Sequence, residues 1–172
     1  MKESTSSACR ALLLAALSMV ATTSVVNAAE ATSAETKARM ISLISKLESD
    51  PFTRDGRDIR GEVISWLTEA PDVTVKVCTN VLGDITKIKG DDGGTLVVQL
   101  MLSEAKFILE HPDKEADQLA VNVAGIEGVL RTYAAMRAVK PKLAIREFDQ
   151  LAQLQTSGQL AAETDKRLAT CN

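Results

Sequence analysis

The sequence predicts an all-α protein, a single-domain bundle of about six to seven helices joined by short loops. Apolar residues recur at the three- and four-residue spacing of a helix through most of the chain. Four prolines and several glycine-containing breaks divide these periodic stretches into segments of helix length. Apolar residues make up 45% of the chain, which is enough to build a packed core.

Residues 1–28 are predicted to be a cleaved signal peptide. Two basic residues precede an apolar run over residues 11–20, and small residues then lead to Ala28, so we expect cleavage before Ala29. The alternative is an uncleaved N-terminal anchor. The run is too short to span a membrane and no second one follows it. We therefore expect a soluble, exported protein, periplasmic or extracellular, with one helical domain over residues 29–172 and no stable membrane insertion after cleavage.

Two helices are predicted before Pro71. The pattern Thr32-x-x-Glu35 is a capping box and starts the first helix. Pro51 stops it, because a residue before proline is pushed out of the helical region, and Pro71 stops the second helix. The apolar faces follow helical spacing and comprise Met40, Ile41, Ile44 and Leu47 in the first helix and Ile59, Val63, Trp66, Leu67 and Ala70 in the second.

Residues 73–87 carry two conflicting patterns. Residues 73–77 alternate like a half-buried strand, and their valines favour that interpretation. A helix is favoured by a preceding Asp72, which could cap it, and by the apolar spacing of Val75, Cys78, Leu82 and Ile85. Because the sequence offers no second strand to pair with a lone one, we predict a helix here.

The segment Lys89–Gly94 combines two aspartates with three glycines and is predicted to be a solvated loop. Such a composition also occurs in calcium loops. A calcium-binding EF-hand loop with Asp91 as position one would need a glutamate at position twelve, and Leu102 stands there. The sequence therefore predicts no metal site.

The remaining helices begin at Thr95. The first is strongly apolar, which predicts a central position, and ends at His111-Pro112. A long helix over residues 114–140 follows, with Asp113 as its cap. A further helix is expected from Pro141 to a break at Ser157-Gly158, and a short C-terminal helix completes the bundle.

The long helix contains Gly125 and Gly128, together with Ala120 and Ala124. Glycine inside a helix costs about 1 kcal/mol relative to alanine. Two of them in one helix therefore predict either a close approach of a neighbouring helix or a bend.

Composition weighs against several classes of function. The formal net charge is −3 with no cluster of cations, so neither nucleic acid nor an anionic membrane is an expected partner. Aromatic residues make up only 3% of the chain, which leaves few stacking platforms for bases or sugars. His111 is the only histidine, whereas nucleophilic triads and most catalytic zinc sites need a well-placed imidazole. We interpret it as a helix stop, and predict no cofactor and no catalytic residues.

Two cysteines, Cys78 and Cys171, remain after removal of the signal peptide, which carries Cys9. In an oxidising compartment an even pair favours a disulfide. A redox-active or metal-binding pair would show C-x-x-C spacing or a neighbouring histidine, and neither is present. The sequence therefore predicts a structural disulfide, with two free or intermolecularly paired thiols as the alternative.

These observations favour a non-enzymatic exported module that binds another protein or has a structural role in the cell envelope. The alternative is a carrier of a small apolar ligand or cofactor held between helices. A remote alternative is a carboxylate-dependent hydrolase that uses Glu62 and Glu69, which lie on adjacent turns of the second helix.

Overall fold

The computed structural model describes residues 31–84, 87–88 and 90–171, and these residues form six α-helices without a strand. The predicted signal peptide, its cleavage point before Ala29 and Ile85 lie outside the described residues. The helices are α1 (Ala34–Ser49), α2 (Gly56–Glu69), α3 (Gly90–Glu110), α4 (Gln118–Val139), α5 (Arg146–Thr156) and α6 (Leu160–Leu168), with short 3-10 helices at Thr79–Leu82 and Pro112–Lys114. The predicted all-α bundle is confirmed.

Helices α3 and α4 form an antiparallel spine at the centre of the fold. Lys140 near the end of α4 binds Asp92 in the first turn of α3, at 2.8 Å, while Ser103 packs against Gly128 near the middle of both helices. The predicted central position of α3 is thus confirmed. Gly125 and Gly128 mark a close helix approach, as one of the two predicted alternatives requires.

The spine carries a hydrophobic core on each side. The α1–α2 core comprises Met40, Ile44, Leu47, Ile59, Val63, Val73, Leu102, Ile108, Leu109 and Val121. The α5–α6 core comprises Cys78, Val81, Leu82, Leu96, Leu100, Ile126, Val129, Leu130, Tyr133, Met136, Phe148, Leu151 and Leu160. The faces predicted for the first two helices supply half of the α1–α2 core, with Ile41, Trp66, Leu67 and Ala70 partly buried at its edge.

The prediction of a helix over residues 73–87 was wrong. Residues 73–78 form neither helix nor strand, and Thr79–Leu82 make a 3-10 helix. Val73 belongs to the α1–α2 core and Cys78 to the α5–α6 core, so this segment crosses from one core to the other. A non-helical chain reaches about 3.3 Å per residue, against about 1.5 Å for a helix, and so spans the gap with few residues.

Three predicted caps also differ. Ser33, not Thr32, caps α1, its Oγ accepting from Thr36 N at 3.1 Å. Asp72 caps no helix, because its carboxylate accepts hydrogen bonds from the backbone N–H and the hydroxyl of Thr32. Asp117 caps α4 through Ala120 N, at 3.0 Å, whereas the predicted cap Asp113 lies in the preceding 3-10 helix.

Of the loop predicted over Lys89–Gly94, Lys89 lies outside the described residues and the other five belong to α3. Gly90 has φ 79° and starts α3, and Asp91 and Asp92 fall in its first turn, where the helix dipole favours acidic residues. A β-carbon at Gly93 would lie 2.5 Å from Ile88 Cγ2, so close packing accounts for a glycine there. The breaker composition therefore reflects the entry into the helix and its packing, and Asp92 is bound to Lys140.

Helix α5 begins five residues later than its predicted start at Pro141. Leu143 N donates to Lys140 O at 2.8 Å, which closes a turn. Ile145 N then donates to Tyr133 Oη at 2.9 Å, which holds the chain against α4 before the helix begins. The predicted break at Ser157-Gly158 is confirmed, with Gly158 at φ 72°.

Candidate functional site

An apolar groove lies where α2, α3 and the segment after α2 meet. Its volume is about 240 Å³. Helix α2 supplies one wall and the crossing segment another, and Met101 of α3 completes the lining. The residues that line it are Ile64, Leu67, Thr68, Val73, Thr74, Val75 and Met101. We call this surface the α2–α3 groove.

The crossing segment beside the α2–α3 groove has few internal bonds. Thr74 N donates to Glu115 Oε1 at 2.8 Å. Within the described part of the chain, residues 73–77 make no backbone–backbone hydrogen bond. Val77, two residues beyond Val75, is 45% exposed, which is unusual for a valine in this fold. The segment thus combines apolar side chains with backbone groups that, apart from Thr74 N, have no hydrogen-bond partner among the described residues.

The second site is polar and lies between α1 and the spine, around Glu48 of α1. Arg131 of α4 binds the carboxylate through Nε, 2.9 Å from Oε2, and through Nη2, 3.2 Å from Oε1. Lys106 Nζ lies 3.1 Å from Oε2, and Ser103 Oγ donates to Oε1 at 2.9 Å. Gln99 Nε2 donates in turn to Ser103 Oγ at 3.1 Å. We call this the Glu48 network, and it joins α1, α3 and α4.

The Glu48 network keeps its carboxylate ionised. Burial acts to raise the pKa of Glu48, but the hydrogen bonds and charges of Arg131, Ser103 and Lys106 together outweigh it and lower that pKa. A buried carboxylate with two cations on it is a typical structural ion pair. Because its oxygens already accept four hydrogen bonds, it has little capacity left to bind a ligand or accept a proton.

Glu104, one residue beyond Ser103, is a different case. The residue is fully buried, both carboxyl oxygens lack a partner among the described residues, and burial raises the pKa to about 8. The amide oxygens of Gln99 and Asn122 are also buried without a partner in the described part of the chain. Asn122 lies about one helical turn before Gly125, against which Glu104 packs.

Sequence reasoning did not find Glu48 or Glu104. The sequence does contain a signal for both residues, in their helical spacing from apolar residues. Glu104 stands four residues from both Leu100 and Ile108, and Glu48 four residues from Ile44, so each carboxylate falls on a face that is otherwise apolar. A charged residue on such a face indicates a buried polar group.

The predicted cysteine pair comes together in the structure. Cys78 and Cys171 lie at disulfide distance with their Cα atoms 6.0 Å apart, across a sequence separation of 93. The pair lies beside the α5–α6 core, where Asn80 Nδ2 also donates to Thr170 O at 3.2 Å. The C-terminal end is thereby held against the 3-10 helix that follows Cys78.

The carboxylates of the hydrolase alternative have separate surroundings. Glu62 binds Arg39 of α1 through two hydrogen bonds, of 2.6 and 3.0 Å. Glu69 instead lines an open groove of about 370 Å³ beside Trp66, near the start of α1. The hydrogen bonds from Arg39 lower the pKa of Glu62.

His111 ends α3, as predicted, and contacts an aromatic ring. Its backbone N–H donates to Phe107 O at 2.8 Å, and the centroids of the His111 and Phe107 rings are 4.7 Å apart. Among the described residues, no group of three or more histidine, cysteine, aspartate or glutamate side chains could hold a metal ion. Within the same residues, none of the helices combines the length and the apolar character that crossing a membrane requires.

Comparison with known proteins gave no relative. No protein-family model, curated protein sequence or solved structure matches this chain. The function must therefore be argued from the surfaces and buried groups described above.

Proposed function

We propose that the mature chain is an exported, non-enzymatic helical module that binds another protein through the α2–α3 groove. The observation that carries the proposal is the apolar lining of this groove by Ile64, Leu67, Val75 and Met101, beside an exposed Val77. Exposed apolar surface of this kind is typical of interaction sites. An apolar side chain of the partner would enter the groove, and its backbone would meet the unpaired groups of residues 73–77.

The size of the groove favours a protein side chain over a carried ligand. Sites for drug-sized small molecules have volumes of roughly 300–1,000 Å³, whereas the α2–α3 groove measures about 240 Å³. The space between α3 and α4, where a bundle would hold a ligand, is closed at Gly125 and Gly128. At these two places the features favour protein binding over a carried ligand.

The surroundings of Glu62 give no support to a hydrolase. The general acid of a glycoside hydrolase needs a raised pKa, and the Arg39 pair lowers that of Glu62. Export is supported by the predicted signal peptide at residues 1–28 and by the disulfide-distance pair, since disulfides persist in oxidising compartments.

The proposal is tested by cross-linking in the envelope of the native host. Tagged wild-type protein is compared with Val75→Asp and Val77→Asp, which place a charge in or beside the groove. Val139→Asp makes the same change at a valine that is 66% exposed near the end of α4 and serves as the matched control. Circular dichroism verifies that each variant keeps the helical fold.

We expect mass spectrometry to identify a protein cross-linked to the wild type and to the Val139 variant, and lost from both groove variants. A protein captured equally by all four chains would contradict the groove as the binding surface. A small molecule that co-purifies with the folded chain in place of a protein would favour the carrier alternative.

A further inference from the structure

Glu104 places a carboxyl group inside the spine of the protein. It is 0% exposed, and neither oxygen has a hydrogen-bond partner among the described residues. A β-carbon at Gly125 of α4 would lie 2.6 Å from Glu104 Cγ and 3.3 Å from Oε1, so the two helices meet at this point. A carboxylate there would lose its water without gaining a partner, and the neutral acid is the form that suits the site.

Three cations on α3 and the elements packed around it bind groups other than Glu104. Lys106 of α3 and Arg131 of α4 both bind Glu48 of α1. Glu48 stays ionised because of these two cations. Arg60 of α2 donates to a backbone carbonyl of the loop before that helix, at 2.9 Å. None of these groups forms a hydrogen bond to Glu104, and burial is the cause of its raised pKa.

Other charged groups on the same elements contribute no charge interaction to Glu104, whose pKa is raised by burial. Glu127 stands two residues beyond Gly125, about 200° around α4, and is only partly buried. Asp113 and Lys114, in the 3-10 helix that packs on the end of α3, are exposed. A negative charge on Glu104 would therefore meet no compensating charge while α3 and α4 stay packed.

We propose that Glu104 is a proton-binding site that couples its protonation to closure of the α3–α4 interface. The protonated acid keeps the two helices packed at Gly125. Loss of the proton opens the interface locally and admits water to the carboxylate. The inference stands independently of the partner proposed for the α2–α3 groove.

The direction of the effect follows from the two pKa values. In the closed interface burial raises the pKa of Glu104 to about 8, while a hydrated carboxyl in the opened interface has the ordinary value of 4.5. The closed state is therefore fully favoured below the ordinary value, and this preference is lost as the pH rises to about 8. The opening constant is the ratio of the open to the closed interface. Between these limits it rises about tenfold per pH unit, roughly three orders of magnitude in total.

Amide hydrogen exchange of α3 and α4 measures the opening. We expect the exchange rates of the full mature chain, divided by the intrinsic rates of the unfolded chain, to rise about a thousandfold between about pH 5 and about pH 8. Glu104→Gln keeps the shape of the neutral acid and should remove this rise. Glu127→Gln, at a carboxyl on the outer side of α4, should retain it.

Carbon NMR of the Glu104 carboxyl gives a second readout that needs no variant. A titration midpoint well above 4.5 supports the proposal even if Glu104→Gln does not fold. A midpoint near the ordinary 4.5 overturns it. Two exchange results would show that Glu104 does not control the interface. One is exchange that follows the intrinsic rates alone across this pH range, and the other is an unchanged rise in Glu104→Gln.

Discussion

Ser103 of α3 lies directly against Gly128 of α4, so closely that a β-carbon on the glycine would overlap the serine and lie 2.7 Å from Glu48 Oε1. The contact between Ser103 and Gly128 thus lies at a close approach of α3 and α4 and also at one edge of the Glu48 network. Since Ser103 donates to Glu48, the glycine is required both for packing and for the placement of a buried ion pair.

Gly128→Ala should destabilise the protein by at least about 2–3 kcal/mol, because the new methyl group forces α3 and α4 apart in a packed interior. Gly61→Ala is the matched control. Gly61 is also inside a helix but has nothing within 4 Å of its β-carbon position, so the change should stabilise by about 1 kcal/mol. Urea unfolding measures both. Equal effects of the two substitutions would contradict the close approach at Gly128.

Glu48→Ala should cost about 3–5 kcal/mol, because it leaves a poorly exposed Lys106 without its partner and removes the link between α1 and the spine. Arg131→Ala should cost less, about 1 kcal/mol, because half of the arginine side chain is exposed and Lys106 still binds the carboxylate. A double-mutant cycle of the two positions measures their coupling. The reverse order of the two single effects would argue against Glu48 as the centre of the network.

The Glu48 network also predicts a loss of stability in acid. The pKa of Glu48 is lowered below its ordinary value of 4.5, so its stabilisation is fully present above that value and is lost as the pH falls through the lowered pKa. Unfolding free energies measured from about pH 6 to about pH 3 should therefore decline, and Glu48→Gln should decline less steeply. Parallel curves for the two proteins would refute this assignment.

Cys78 and Cys171 are expected to form a disulfide in exported protein. Closing a loop of this length stabilises by roughly 4–5 kcal/mol in the chain-entropy model. Reduction, or replacement of both cysteines by serine, should lower the melting temperature and release α6 first. Thiol titration of unfolded, unreduced protein provides the check, and two reactive thiols in correctly exported material would end the hypothesis.

The mature protein is expected to begin at Ala29. The reason is the small-residue pattern that ends at Ala28 after the apolar run. Intact-mass measurement of protein recovered from the native host decides the matter. A mature chain that still carries residues 11–20 would support the uncleaved anchor instead.

Periodicity and prolines were sufficient to predict most of the helices. Pro51, Pro71 and Pro112 stop α1, α2 and α3 where expected, because proline acts on its own neighbours whatever the rest of the fold does. The two glycines of α4 predicted either a close approach or a bend, and the structure shows the close approach. Their spacing alone did not reveal that the partner is Ser103 and Glu104.

The α2–α3 groove could not be predicted, because it is formed by residues from distant parts of the sequence. Residues 73–78 carry a helix pattern and a strand pattern but adopt neither, since Val73 and Cys78 belong to cores on opposite sides of the spine. Local propensity is worth a few tenths of a kcal/mol per residue and is easily overridden by such burial.

By itself the sequence determined the helical class, the breaks between most helices and the cysteine pair, because each depends on neighbouring residues or on simple counts. The signal peptide stays a prediction. Only the tertiary structure decided which carboxylates are charged. Glu48 and Glu104 occupy equivalent positions on apolar helix faces, yet one meets Arg131 and Lys106 and the other meets Gly125. Their ionisation depends on what lies across the helix interface, and that is set by packing between segments far apart in the chain.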